Sequence, residues 1–340
     1  MNTSREISGV WRLAQAVSVM SALAVVALLV VRPEWGLFIT WSVLIPVVPA
    51  LLLIAPQVWR SLCPIAVVHQ LPRAFGRGGR RRLSNRSQWW APAVAAAGLF
   101  VIVPARHPVF NEYGGALALF VVIVLIAALI GGALYAGKSG WCSTYCPVGP
   151  VERLYGQAPV LEPQHAHCAS CVGCTDPCFD RDGAFAVMSR VGEAVDGSTG
   201  DSRRKARLFA SPIGAFVAAF PGFVLGYFTV SPDAGIGSIY LHVVLLAAAS
   251  FALFVGGQFV FRFSARNGIR VAAAAAAGLY YWFTVPAIIA ATEATWGMGP
   301  AAGWVDALGR GLLLLVVGLW FLDAPRRSRR LLQKEVLSYR

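Results

Sequence analysis

Long apolar segments without a charged side chain dominate this chain and limit the folds that it can adopt. Seven such runs are Leu13–Val31, Trp35–Trp59, Ser87–Ala105, Tyr113–Gly137, Leu208–Pro232, Ala234–Phe261 and Val271–Thr292. An eighth run, Trp304–Leu322, contains only Asp306 and Arg310, which stand four residues apart and are expected to pair or to reach the interface. Each run is long enough to cross a hydrocarbon layer of about 30 Å as a helix. Only 13% of the residues are charged, against about 25% in soluble domains. The sequence therefore predicts an all-α, polytopic membrane bundle of about eight transmembrane helices.

The positive charge is distributed unevenly between the two sides of this predicted bundle. With eight spans both termini lie on one side, and that side collects most of the basic residues, in the segments Arg5–Arg12, Arg60–Arg86, Lys138–Arg207, Arg262–Arg270 and Arg326–Arg340. The opposite loops hold only Arg32 and Arg106. Basic loops stay on the cytoplasmic side of a bacterial-type inner membrane, so both termini are expected there. The net charge of +13 then reflects topology and lipid headgroups, and nucleic acid is not expected as a partner.

Four of the seven cysteines lie in one short segment between the fourth and fifth runs, at Cys168, Cys171, Cys174 and Cys178. Their spacing, Cys-x2-Cys-x2-Cys-x3-Cys, is that of bacterial ferredoxin ligands to a [4Fe–4S] cluster. The small neighbours Ala169, Ser170 and Gly173 allow backbone amides to approach the cluster sulfurs. Zinc sites more often show two separated Cys-x2-Cys pairs, and a cytoplasmic segment disfavours disulfides. The sequence therefore predicts a small cytoplasmic ferredoxin-like iron–sulfur loop, with these four cysteines as the metal ligands.

The other three cysteines follow two of the apolar runs in similar segments. Cys63 and Pro64 directly follow the second run, and the motif Cys142-x3-Cys146-Pro147 follows the fourth. When the two Cys-Pro pairs are aligned, Cys63 falls on Cys146 and Leu71 on Leu154. In the same alignment Trp59 falls on Cys142 and His69 on Glu152. This pattern indicates an internal duplication of a span, a Cys-x3-Cys-Pro motif and a short amphipathic helix. Cysteines four apart near a helix end lie on one face and could share a metal or act as redox thiols. The simpler alternative is that they are small buried apolar residues.

These motifs together resemble the NapH/NosR group of membrane polyferredoxins, over about residues 40–185. Members of that group combine Cys-x3-Cys-Pro helix ends with ferredoxin-type loops, and they serve as electron-transfer subunits or maturation factors beside nitrate, nitrous oxide and related respiratory systems. Three departures stand out. Trp59 occupies the position of a membrane cysteine, only one ferredoxin loop is present where two are common, and Phe179 replaces the usual proline after the fourth cysteine.

The predicted organisation has three parts: a four-helix membrane half carrying the Cys-Pro motifs (1–146), a cytoplasmic ferredoxin-like segment (147–207), and a second four-helix half with a basic tail (208–340). Two ligand sets remain open. In one, Cys168, Cys171, Cys174 and Cys178 close one cluster locally. In the other, Cys168, Cys171 and Cys174 recruit one of the membrane cysteines Cys63, Cys142 and Cys146, and Cys178 joins the remaining two around a second cluster. Two all-cysteine clusters need more ligands than seven cysteines provide, and His69 is a candidate for a non-cysteine ligand.

The predicted function is single-electron relay between the quinone pool, or a membrane partner, and a redox partner protein at the cytoplasmic face. The chain would be an electron-transfer component of an oxidoreductase system and not a stand-alone enzyme. Two alternatives are a regulatory or maturation factor for a respiratory metalloenzyme and a redox-gated transporter. Glu152 and His69 are candidates for proton handling beside a quinol, or else an interfacial charge and a polar cap. His242 is expected to hydrogen-bond to a neighbouring helix, the alternative being a haem or quinone ligand.

Overall fold

A computed structural model describes residues 9–161, 178, 187, 209–231, 233–261, 265–300 and 303–338. Within these ranges the chain is helical, and β-type backbone pairing is limited to one isolated bridge between Arg81 and Tyr135. Eight helical segments in the described ranges are long and apolar enough to cross a membrane: Gly9–Val31, Pro33–Ile54, Asn85–Arg106, Gly114–Leu134, Pro212–Thr229, Ile236–Gln258, Arg266–Trp296 and Gly303–Arg327. The predicted all-α bundle with eight candidate spans is thus confirmed.

Short helices connect some of these spans. In chain order the helices are α1 (Gly9–Val31), α2 (Pro33–Phe38), a π-helical segment (Ile39–Leu44), α3 (Ile45–Ile54), α4 (Pro56–Leu62), α5 (Pro64–Ala74), α6 (Asn85–Ile102), a 3-10 turn (Pro104–Arg106), α7 (Gly114–Leu134), α8 (Gly149–Tyr155), α9 (Pro212–Thr229), α10 (Ile236–Phe261), α11 (Ala265–Trp296) and α12 (Gly303–Ser338). The second span consists of α2, the π-helical segment and α3.

Prolines set the helix boundaries around the second span. Ala55 precedes Pro56 and leaves the helical region, with φ −148° and ψ 70°. Cys63 precedes Pro64 and has φ −52° and ψ 120°. Proline disfavours the helical conformation of the residue before it and lacks an N–H of its own, so each X-Pro pair ends one helix and begins the next. The chain therefore breaks twice between Ile54 and α5, and these breaks place Cys63 at the start of α5.

The core is built around α9, the most buried of the eight candidate spans. Its aromatic side chains pack inward, and the ring centroids of Phe223 and Phe100 are 4.2 Å apart. One cluster of buried residues joins Leu52 and Leu99 from the first half of the chain to Phe220 and Ala276 from the second. The two predicted membrane halves therefore share a single core.

Contacts across the chain place several segments at the same end of the bundle. Gln15, in the N-terminal half of α1, donates from Nε2 to the carbonyl oxygen of Ser61 at 3.0 Å. Near the end of the last span, Trp320 Nε1 donates to the carbonyl oxygen of Ala158 at 3.0 Å. The N–H of Leu161 donates to the carbonyl oxygen of Ile54 at 2.8 Å. The first and last spans therefore reach the end of the bundle that carries Cys63, as an even number of spans requires.

Two predicted polar contacts within the spans are confirmed. His242 Nε2 lies 3.0 Å from Thr229 Oγ1, in a hydrogen bond that joins α10 to the end of α9. Arg310 Nε donates to Asp306 Oδ1 at 2.8 Å, one helical turn apart in α12. The Arg310 guanidinium also lies over the Trp282 ring, 4.7 Å from its centroid. Both contacts satisfy polar groups that lipid alone would leave unpaired.

Candidate functional site

Three cysteines from separate parts of the sequence line one pocket at the end of the bundle. Cys63 begins α5, Cys142 lies in the turns after α7, and Cys146 lies shortly before α8. None of the three is in a disulfide. The empty space is about 530 Å³, which includes open solvent on its open side. The lining consists of Trp59, Arg60, Cys63, Ile65, Ala66, Lys138, Cys142, Ser143, Cys146, Gly149, Glu152 and Arg153. We refer to this space as the three-cysteine pocket.

The two Cys-Pro segments have the same local geometry around their sulfur atoms. The backbone N–H groups of Ile65 and Ala66 hydrogen-bond to the Cys63 side chain. The N–H group of Val148 does the same for Cys146, and that of Gly149, which donates to the Cys146 carbonyl oxygen at 2.9 Å, also lies near this thiol. In each copy these N–H groups stand two and three residues after the cysteine, with proline between. Trp59 and Cys142, which the sequence alignment pairs, also line the same pocket. The internal duplication inferred from the sequence stays a prediction, because a helix precedes Cys63 whereas turns precede Cys146.

Two details of the predicted motif are wrong. Cys63 does not follow the second span directly, because the separate helix α4 intervenes after the break at Ala55. Cys142 and Cys146 do not lie on one face of a helix end, because α7 ends at Leu134 and consecutive turns follow. In these turns the N–H of Cys146 donates to the carbonyl oxygen of Trp141 at 3.1 Å. Gly137, with φ +58°, allows the change of direction because it has no Cβ.

Buried basic side chains surround the three thiols. Arg60, only 6% exposed, forms an ion pair with Glu152. Lys138 Nζ donates to the carbonyl oxygen of Arg60 at 3.1 Å. Arg153 Nη2 donates to the carbonyl oxygen of Ser143 at 2.6 Å. The lining thus contains three cations against one carboxylate, which favours an anionic occupant.

The motifs in the sequence do not by themselves identify these basic residues as part of a site. In the sequence, Lys138 is one of the basic residues on the predicted basic side of the membrane, and Arg60 is the first residue of a basic loop. A usable signal was present: Arg60 stands three residues before Cys63, and Lys138 four residues before Cys142. A cation at the end of an apolar run and within one turn of a cysteine could therefore have been predicted to share its environment.

Burial keeps at least two of the thiols protonated. Burial raises the pKa of Cys63, although the N–H groups of Ala66 and Ile65 act in the opposite direction. Burial, together with the nearby Cys63, raises the pKa of Cys146 to about 12. Both side chains are therefore neutral at pH 7 in the metal-free protein, and binding a metal through them must release their protons.

His69 lies beside the pocket but is absent from its described lining. It is 1% exposed, and its backbone carbonyl packs so closely against Gly132 of α7 that a Cβ there would overlap it. Nδ1 lies 3.3 Å from Nε2 of Gln70, and Nε2 has no hydrogen-bond partner among the described residues. Burial, with Lys138 nearby, lowers the pKa of His69 to about 4. His69 is therefore a neutral core residue at pH 7 and not a solvated headgroup-level histidine.

Glu152, the other candidate for proton handling, lines the three-cysteine pocket. Its ion pair with Arg60 joins α8 to α4. The pair therefore connects the two copies of the Cys-Pro segment. Removing one partner of a buried pair leaves an uncompensated charge, which is strongly destabilising.

The predicted ferredoxin loop falls largely outside the described residues. Cys168, Cys171 and Cys174 lie there, whereas Cys178 is described as half-buried and outside any disulfide. Among the described residues, no group of three or more His, Cys, Asp and Glu side chains is placed to hold a metal ion. The three thiols of the pocket share one space but are not among such groups.

Comparison with family models, curated proteins and solved structures finds no match to this chain. The chemistry of the site therefore has to be inferred from its own residues. Three thiols, an excess of buried positive charge and backbone N–H donors suit an anionic group that bonds to sulfur.

Proposed function

We propose that this chain is a membrane-bound iron–sulfur protein that relays single electrons. It carries a [4Fe–4S] cluster on Cys168, Cys171, Cys174 and Cys178, and it exchanges electrons with the quinone pool or a membrane partner and with a redox partner protein at the cytoplasmic face. The observation that carries this proposal is the collection of three further cysteines in one pocket, at the end of the bundle where the ferredoxin-type segment begins.

The anchoring of the chain on both sides of that segment supports this arrangement. Before it, the N–H groups of Val160 and Leu161 donate to the carbonyl oxygen of Ile54 at 2.9 and 2.8 Å. After it, Phe209 is buried in the same core cluster as Leu154 and Tyr155 of α8. The described residues on both sides of this segment, Leu161 and Phe209, are therefore anchored to the bundle. A cluster in this segment would lie near the same end of the bundle.

The apolar helices and the pocket end of the bundle suit the two proposed kinds of partner. An iron–sulfur cluster supplies one-electron chemistry when bound. The apolar helices bring the site to the membrane surface, where a lipid-soluble quinol has access, and the pocket end carries the basic loops expected on the cytoplasmic side. The resemblance of the cysteine motifs to NapH/NosR-type polyferredoxins supports the same proposal.

Anaerobic purification with iron and sulfide counting and EPR tests this function. We expect brown, iron-containing wild-type protein whose reduced EPR signal can be generated by a quinol as well as by a strong reductant. Cys171→Ser should lose the iron and sulfide of the loop cluster, because one of its irons loses its thiolate. Ser170→Ala, a neighbour without a ligand atom in the motif, is the matched control and should retain both.

The proposal fails if anaerobic wild-type protein is colourless and poor in iron. It also fails if Cys171→Ser and Ser170→Ala hold equal amounts of iron and sulfide. Electron transfer from the quinone pool would be excluded by a signal that strong reductant produces and quinol never does.

A further inference from the structure

We infer that the three-cysteine pocket binds a second iron–sulfur cluster, with Cys63, Cys142 and Cys146 each bonded to a different iron. This inference adds a centre to the electron-transfer function proposed above, but it depends on the pocket and not on the ferredoxin-type segment. Three lines of observation carry it: the placement of the sulfurs, the charge of the lining and the hydrogen-bond donors aimed at sulfur.

The placement of the sulfurs distinguishes a cluster from a single ion. A tetrahedral metal ion with bonds of about 2.3 Å to sulfur needs its thiolates close together around one point. The described residues contain no group placed in this way, although all three cysteines line one pocket. A cubane instead carries one thiolate on each of its irons, so its ligands stand further apart and surround a larger volume.

The charge of the lining suits such an occupant. A cluster bound through three thiolates is an anion, and burying an anion is unfavourable without compensating positive charge. Arg60 and Lys138 are 6% and 4% exposed, and Arg153 also lines the pocket. Glu152 compensates one of these cations. A lining with several buried basic side chains would stabilise such a bound anion.

The backbone of both Cys-Pro segments supplies donors to the ligand sulfurs. Ile65 and Ala66 donate to Cys63, and Val148 donates to Cys146, with the N–H of Gly149 nearby. Hydrogen bonds to cluster sulfurs stabilise the reduced state and help to set the reduction potential. The same pattern in both copies gives the cluster a similar environment on two sides.

The predicted duplication also indicates which residue stands where a ligand to the fourth iron would be expected. The repeat partner of Cys142 is Trp59, which lines the pocket with an indole in place of a thiol. The cluster in the pocket would therefore have one iron without a cysteine ligand. A cysteine at position 59 should supply the missing thiolate.

The test compares iron and sulfide content and EPR in anaerobically purified protein. Cys142→Ser should lose the pocket cluster, and Tyr145→Phe is its matched control because Tyr145 lies in the same motif, is 40% exposed and is outside the described pocket lining. We expect wild type to hold roughly twice the iron of Cys142→Ser or Cys171→Ser. The double variant should hold almost none.

These variants separate the two proposals. If Cys171→Ser loses iron and Cys142→Ser matches Tyr145→Phe, the second cluster is disproved and the loop cluster stands. If Cys142→Ser loses iron and Cys171→Ser does not, the pocket cluster stands and the loop cluster is disproved. Zinc or copper in the pocket, or a disulfide among its cysteines in the anaerobic protein, would also overturn the second cluster.

A gain-of-ligand variant and a labelling measurement do not depend on removing a cysteine of the pocket. In the Cys171→Ser background, Trp59→Cys should slow the loss of iron to a chelator several-fold, and an unchanged rate counts against the cluster. In wild type, chelation should expose Cys63, Cys142 and Cys146 to alkylation followed by mass spectrometry. Equal labelling before and after chelation would contradict the inference even if Cys142→Ser failed to fold.

Discussion

His69 illustrates how a single buried side chain can affect this molecule without binding a ligand. Its imidazole is packed between α5 and the glycine-rich end of α7, with Gln70 beside Nδ1 and the positive charge of Lys138 nearby. Protonation there would bury a second cation next to the first. The side chain therefore contributes to packing as the neutral base, and its main consequence is for stability.

Stability should consequently fall as the pH drops below the usual histidine pKa of about 6.5. Between that value and about 4, the unfolded chain binds a proton at His69 that the folded chain does not bind, so acid favours unfolding. The loss at pH 5 is about 2 kcal/mol. Thermal unfolding in detergent at pH 7 and pH 5 measures it, and His69→Gln should show a smaller difference between the two pH values. An equal difference in wild type and variant would contradict this role.

At the scale of helices, the contact between α5 and α7 decides the position of Cys63. The backbone of α5 at His69 lies against Gly132, where a methyl group would overlap the His69 carbonyl oxygen. Since Cys63 begins α5, any displacement of α5 also moves one wall of the three-cysteine pocket. The close approach of these helices therefore links the packing of the fourth span to the geometry of the site.

Gly132→Ala should destabilise the protein by about 1–3 kcal/mol, because the added methyl group overpacks the contact with α5. It should also increase the alkylation of Cys63 in metal-free protein as α5 moves away. Gly115→Ala is the matched control in the same helix, since a Cβ there meets nothing within 4 Å, and it should be neutral or slightly stabilising. Thermal unfolding in detergent and peptide mass spectrometry measure the two effects. Identical behaviour of the two variants would show that α5 does not pack as described.

At the scale of the whole molecule, the eight candidate spans in the described residues bring the start of α1, the end of the last span and the pocket to one side. α1 contacts the carbonyl of Ser61 through Gln15, and the last span contacts Ala158 through Trp320. The connections after α6 and α11 lie at the other end. This arrangement makes a direct prediction about membrane topology.

Alkaline phosphatase, which folds only where its disulfides can form, should be inactive when fused to either terminus or inserted after Gly76. It should be active when inserted after Gly297. Both glycines lie in turns where a Cβ would meet nothing within 4 Å, so insertion at these positions should be tolerated. The basic residues on the pocket side are the physical reason for this orientation. An active fusion at Gly76 would place the three-cysteine pocket outside the cytoplasm and contradict the proposed electron-transfer route.

The eight spans could be predicted because each depends on a local property, a run of apolar residues of sufficient length. The boundaries near Pro56 and Pro64 were less clear, because the run Trp35–Trp59 contains no charge at the point where α3 ends and α4 begins. The local likeness of the Cys63 and Cys146 segments was also visible, since it depends on residues adjacent in sequence. The roles of Arg60 and Lys138 were missed, because they follow from the burial of charged groups that usually remain in solvent.

The order of the residues by itself determined the number of spans, the two Cys-Pro segments and the ferredoxin-type spacing, since hydrophobic length and ligand spacing are properties of neighbouring residues. Only the tertiary structure decided that Cys63, Cys142 and Cys146 line one pocket, because this requires α4, α5 and the turns after α7 to pack together at one end of the bundle. It also decided that His69 is buried as a neutral base and that three cations surround the thiols. Burial and charge compensation depend on which distant segments come into contact.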